Sequence, residues 1–173
     1  MLLNRIKKII IPPLTIALLC YTSSCQKDDI CVDNDTPLLV IGFFDVEDTA
    51  TAKSVTALRI RALGFDTSPT TFQDRADLDS IAIPLQTNTT STQFVFISDS
   101  ADNDDGIETG TIDTLTFNYS VQEEFVSRAC GFVARYRNLD TTRQVFTTDW
   151  IKGIDILNDT IENSAAIHVK IFH

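Results

Sequence analysis

From about residue 36 onward the chain reads as short apolar runs separated by Asp, Thr, Ser, Asn and Gly. Val, Ile, Thr and Phe dominate these runs, residues that suit a pleated, half-buried surface. Leu38 to Val46 is almost continuously apolar, which predicts a strand covered on both faces. Leu58, Ile60 and Ala62 alternate with Arg59 and Arg61, the period of a strand with one wet face. Ile81, Ile83 and Leu85 form a further strand, which Pro84 assigns to a sheet edge. Phe94 to Ile97 comes next, then a polar loop from Asp99 to Gly110. Leu115, Phe117, Tyr119 and Val121 alternate with Thr116, Asn118 and Ser120, the cleanest strand in the chain. The segment Val126 to Tyr136 puts Cys130, Phe132, Ala134 and Tyr136 on one side, and Trp150 to Leu157 follows. Ile167, Val169 and Ile171 then alternate with His168, Lys170 and Phe172. About eight strands with turn signals between them predict an all-β fold, a single antiparallel β-sandwich of immunoglobulin-like type. Helical patterning is confined to Thr49–Ala57 and Phe72–Leu78, each room for one turn or two.

Ahead of this region the pattern changes. Arg5, Lys7 and Lys8 precede an apolar run from Ile9 to Leu19, broken only by Pro12, Pro13 and Thr15. The run is shorter than the roughly 18–20 residues a helix needs to cross a hydrocarbon core. A basic flank, a short apolar stretch and then small residues form the layout of a secretory signal. Thr22-Ser23-Ser24-Cys25 resembles a lipobox, with Thr where Leu is commonest, whereas Cys20 follows the bulky Leu18 and Leu19. The expected division is a lipoprotein signal peptide over 1–24, an acylated tether over 25–35 beginning at Cys25, and a sandwich domain over 36–173. Gln26-Lys27-Asp28-Asp29 resembles the surface-export signal of Bacteroidota lipoproteins, and also suits a solvated tether. The expected address is the outer membrane, facing the cell exterior, with the membrane engaged through the lipid.

Charge narrows the partners. The formal charge of the chain is −10, and removal of residues 1–24 takes it to −13. Such acidity argues against nucleic acid and against polybasic docking to anionic lipid, and leaves cation binding open. Beyond Cys20 and Cys25 two cysteines remain, Cys31 and Cys130. An exported compartment permits a disulfide between them. It would close a loop of about 100 residues and contribute about 4–5 kcal/mol in the chain-entropy account. The alternative is two unpaired residues, Cys31 in the tether and Cys130 in a strand. Metal binding by two cysteines without nearby histidines is disfavoured.

Three stretches carry a resemblance to known proteins. Cys25-Gln-Lys-Asp-Asp-Ile-Cys31, Lys53-Ser-Val-Thr-Ala-Leu-Arg59-Ile-Arg61 and Ser127-Arg128-Ala-Cys130-Gly131-Phe132 resemble a family of uncharacterised Bacteroidota lipoproteins classed as a domain of unknown function. The resemblance implies the envelope location and a Cys31–Cys130 pairing, and brings no reaction or substrate.

Candidate chemistry is sparse. The loop containing Asp99, Asp102, Asn103, Asp104, Asp105 and Gly106 offers clustered oxygens to a hard cation such as calcium. Aligned on Gly106, however, Ala101 and Ile112 stand where an EF-hand needs its first Asp and its bidentate Glu. Asp, Asn and Gly are also the ordinary residues of a turn. Asp-Ser/Thr-apolar triplets place Thr49, Ser80, Ser100, Thr114, Thr141 and Thr160 after an aspartate. The triplet resembles the acceptor of Bacteroidota O-glycosylation, and is also how a strand begins after a turn. His168 on a polar strand face and His173 at the fraying end both read as solvated. Glu123 and Glu124 are adjacent, so in a strand they point to opposite faces and cannot act as a carboxylate pair. Arg59 and Arg61 share a face, with Arg128, Arg135 and Arg137 as further cations, and cross-strand ion pairs are their expected use, ahead of anion capture. Trp150 is the single tryptophan, a weak basis for sugar binding. The leading expectation is a non-enzymatic binding or structural module with a protein partner at the envelope. The alternatives are a calcium-stabilised β domain and an envelope-polymer hydrolase.

Overall fold

The structure, a computed structural model, describes residues 36–144 and 149–173. These residues form nine strands and no helix: β1 Leu39–Phe44, β2 Val55–Ala62, β3 Ala76–Leu78, β4 Ser80–Ile83, β5 Ser91–Ser98, β6 Thr111–Ser127, β7 Gly131–Gln144, β8 Gly153–Ile156 and β9 Val169–Phe172. They build two sheets, one ordered β4-β1-β9-β8 and the other β3-β2-β5-β6-β7. The all-β sandwich expected from the alternation is what forms. Its second sheet keeps β5, β6 and β7 as a meander, whereas immunoglobulin sheets deal their strands as ABED and CFG. One ladder among the described strands, β1 with β9, is parallel.

Each sheet turns an apolar face inward. Leu39, Ile41 and Phe43 of β1 join Ile81, Ile83, Val169 and Ile171 from their sheet neighbours. They meet Leu58, Ile60, Phe94, Phe96, Leu115 and Phe117 of the other sheet, and none of these side chains is more than 4% exposed. β1 is apolar on both faces because its outer face is covered too: a Cβ at Gly42 would sit 2.8 Å from Ile167. Pro84 directly follows β4, an edge strand as expected.

The structure departs from the sequence expectations in three ways. Residues 49–57 form a turn and the start of β2, and Phe72–Leu78 ends in β3, so neither is helical. Val126 to Tyr136 is not one strand, because residues 128–130 are the turn between β6 and β7, where Gly131 takes a φ of 73°. Cys130 therefore stands in a turn, its backbone N–H donating to Ser127 Oγ. Third, the ladder between β6 and β7 shifts register between Asn118 and Ser120, with Asn138 at a φ of 54°. An inserted residue reverses the parity of a strand. That is why Tyr136 and Leu139, three apart, are both buried.

β6 pairs with β5 only from Thr111 to Asn118, while its pairing with β7 runs on to Ser127. The last part of β6 and the first part of β7 thus form a two-stranded ribbon that outruns the sheet.

Candidate functional site

Two regions gather charged side chains, and a third gathers exposed aromatics. The first is the loop after β5. Asn103 Oδ1 accepts the N–H groups of Asp105 and Ile107, and Gly106 takes a φ of 75°, so the apparent cation loop closes as a tight turn. Asp102 is turned away to Arg75, 2.5 Å from its Nη2. Asp99, Asp102, Asp104 and Asp105 are not drawn together. Among the described residues no group of three or more His, Cys, Asp or Glu side chains is placed to share a metal ion.

The centre of this region is Glu108, which the sequence did not single out. Its carboxylate accepts the Ser100 hydroxyl (2.8 Å) and the N–H groups of Ala101 (3.1 Å) and Gly110 (3.0 Å). Arg59 and Arg75 reach it at 3.3 and 3.5 Å, and Arg59 also pairs with Asp74 at 3.6 Å. Burial works to raise the pKa of Glu108, but the donors from Gly110, Ser100, Ala101 and Arg59 outweigh it and hold the carboxyl below its ordinary value. Three non-glycine residues with positive φ, Ala57, Arg75 and Asp99, border the same place. Backbone bonds fix them there: Ser100 N–H donates to the Ala57 carbonyl, Arg75 N–H to Leu58 and Asp99 N–H to Thr56.

The second region is the outer face of the β6–β7 ribbon. An open cleft of about 560 Å³ is lined there by Gln122, Glu124, Arg135, Arg137, Glu162 and Asn163, among others. Arg135 pairs across the strands with Glu124 (3.3 Å) and donates to the Glu162 carbonyl. Arg137 pairs with Glu162 (3.2 Å) and donates to Gln122 (2.6 Å). Each guanidinium is engaged within the chain. Arg61 takes no place in either network, and Arg128 lies in the hairpin turn.

The third region is the ribbon's tip, where Phe125 and Phe132 face each other across the register with ring centroids 5.3 Å apart. They are 56% and 67% exposed.

Both histidines depart from expectation. His168 is buried, not solvated, because its Nδ1 accepts the Val40 N–H at 3.1 Å. Burial pushes its pKa down, against a smaller opposing effect from the Asn163 backbone. His173 is not frayed: its N–H donates to the Phe44 carbonyl, and its ring lies edge-on to Trp150 at 5.6 Å. Asp113, assigned to a turn by its triplet, is fully buried. Its Oδ2 accepts the N–H groups of Trp150 and Ile151, both at 2.9 Å. Burial raises its pKa, the two N–H donors oppose this, and Asp149 adds to the rise.

The acceptor candidates separate by accessibility. Thr49 and Ser80 are exposed, Thr160 is half-buried in a loop, and Thr114 and Thr141 are half-buried in paired strands. Ser100 is withdrawn as an acceptor, since it is buried and its hydroxyl is committed to Glu108. The signal peptide, Cys25, the export residues Gln26 to Asp29, and Cys31 lie outside the described residues.

None of the curated proteins and none of the solved structures matches the chain. A family model does match, over residues 57–173, a span from the middle of β2 to the last residue that takes in both charged regions and the whole ribbon. The chain belongs to the family of unknown function DUF6452.

Proposed function

We propose that the chain is an exported, lipid-anchored envelope protein whose sandwich is a binding or structural module, not an enzyme. The observation behind the module reading is how its charges are engaged. Arg59, Arg75, Asp102 and Glu108 pair with one another, as do Arg135 with Glu124 and Arg137 with Glu162. A hydrolase of envelope polymers needs an acid and a base free to reach substrate. Groups already paired on both sides stabilise a fold instead. Anchoring rests on the lipobox-like Thr22-Ser23-Ser24-Cys25, and outward exposure on Gln26-Lys27-Asp28-Asp29. A Cys31–Cys130 disulfide completes the proposal. Its support is the even pair of cysteines left beyond Cys20 and Cys25, with Cys130 standing in the turn between β6 and β7. If envelope O-glycosylation occurs, Thr49 and Ser80 are the accessible acceptors.

The test is metabolic labelling of cells with radioactive palmitate, followed by membrane fractionation. Wild-type protein should take up label and sediment with membranes, and Cys25→Ala should do neither. Label and membrane retention in Cys25→Ala would defeat the anchor. Capture of a specific envelope protein by the lipidated chain supports the module, and turnover of an envelope glycan by it overturns that reading.

A further inference from the structure

We propose that the tip of the β6–β7 hairpin, which carries exposed Phe125, Val126 and Phe132 on its strands and Arg128 in its turn, is a membrane contact that seats the sandwich on the bilayer anchoring it. This deepens the proposed function and rests on its acylated Cys25 and its Cys31–Cys130 link.

The tip is built by the fold in a way a soluble hairpin does not need. Phe132, Ala134 and Tyr136 lie on one face of β7, and Ala134 and Tyr136 are buried in the core. Phe132 continues that core face past the end of the facing sheet, and Phe125 stands opposite it on β6. The two rings pack edge to face and present their remaining surface outward, with Val126, 39% exposed, beside them. Aromatic rings at the end of a rigid ribbon bury apolar surface when they enter the headgroup–acyl boundary.

Charge and chain length select the bilayer among occupants. Between Phe125 and Phe132 the only charged residue is Arg128, in a chain of net charge −10. An arginine there can keep its guanidinium among headgroups while its stem lies along apolar surface. Glu123 and Glu124 directly follow on the ribbon and mark the depth at which immersion stops. Cys130 sits in the tip's turn, and Cys31 is six positions beyond Cys25. Six residues reach at most about 20 Å when fully extended. A link from Cys31 to Cys130 therefore holds these rings near the lipid at all times, where a modest apolar contact suffices to orient the domain.

The experiment uses full-length lipidated Phe132→Trp protein in phosphatidylcholine vesicles, part of whose lipid carries bromine on its acyl chains. Wild type is the internal control. Its single indole, Trp150, packs beside Asp113, about 40 Å along β6 from Phe125 at the usual strand rise. The expected result is strong loss and a blue shift of the introduced emission on brominated vesicles, with wild-type emission unchanged. Sedimentation of both proteins with vesicles but no quenching in Phe132→Trp overturns the tip contact and leaves the anchor standing. Failure of both to sediment overturns the anchor and the contact together. An unquenched introduced indole that is shielded from aqueous iodide, in a protein that cross-links as a dimer, overturns the contact in favour of a second copy.

Discussion

Tyr136 has no exposed surface, yet its hydroxyl is satisfied by the Leu85 carbonyl at 3.0 Å. Beside it Tyr119 donates to the Gln86 carbonyl at 2.8 Å, and the two rings meet edge to face at 5.1 Å. Burial, with a contribution from Tyr119, pushes the Tyr136 hydroxyl up to about 12. The pair fastens the chain after β4 to the second sheet. Tyr136→Phe leaves a buried carbonyl without its donor, so a loss of about 1–3 kcal/mol is expected in urea unfolding. A change within error would mean that water replaces the hydroxyl. His168 gives a pH dependence of definite sign. The folded ring stays neutral at pH values where the unfolded ring binds a proton, so stability is full above about pH 6.5 and falls as pH drops below it. Melting temperatures taken through that window should decline, and NMR titration of the ring should place its midpoint below the ordinary value; a raised midpoint contradicts the burial account. Neither histidine was legible in the sequence. Alternation says which side of a strand a residue lies on, and nothing about what later covers that side. At His168 the covering comes from residues near 163, and at His173 from Phe43 and Trp150.

At the scale of elements, strands were legible where one face meets the core and the other meets water. β2 and the first half of β6 show this, with buried Leu58, Ile60, Leu115 and Phe117 set between polar neighbours. The turn at residues 128–130 was missed because Ala129 and Cys130 give no strong turn signal, and only Gly131 marks the place. The bulge at Asn138 was missed because one inserted residue looks like a broken alternation. The loop of 99–110 shows a different limit of sequence reading. Its acids suggested a cation, while the residue that organises it, Glu108, is a lone Glu whose partners Arg59 and Arg75 are distant in sequence. Glu108→Ala removes the acceptor of Ser100, Ala101 and Gly110 and leaves two guanidinium groups short of their partner. A loss of about 1–3 kcal/mol is expected for this part-buried network. Because Asp102 is held by Arg75 and Asn103 closes a turn, calcium and chelator should both leave the melting temperature unchanged. A calcium-dependent rise would restore the cation loop.

For the whole molecule, the sandwich follows from patterning, while the placement in the cell that we propose rests on the sequence of residues outside the described ones. The ribbon formed by β6 and β7 carries Cys130 in its turn, and it is the element that the proposed Cys31–Cys130 link would tie to the proposed anchor. On the proposed membrane contact, the net negative charge would keep the body off an anionic bilayer, and the tip, with Arg128 its only charged residue between Phe125 and Phe132, would be the part that touches lipid. Serine at both Phe125 and Phe132 should leave the melting temperature almost unchanged, since the rings are largely exposed. A large drop would make them part of the core.

Mass spectrometry of unreduced proteolytic peptides from protein purified out of native membranes tests the central claim most directly. The expected species is a peptide that begins at acylated Cys25 and is cross-linked through Cys31 to the peptide containing Cys130. A chain that retains residues ahead of Cys25, or one in which Cys31 and Cys130 both alkylate as free thiols, would contradict it.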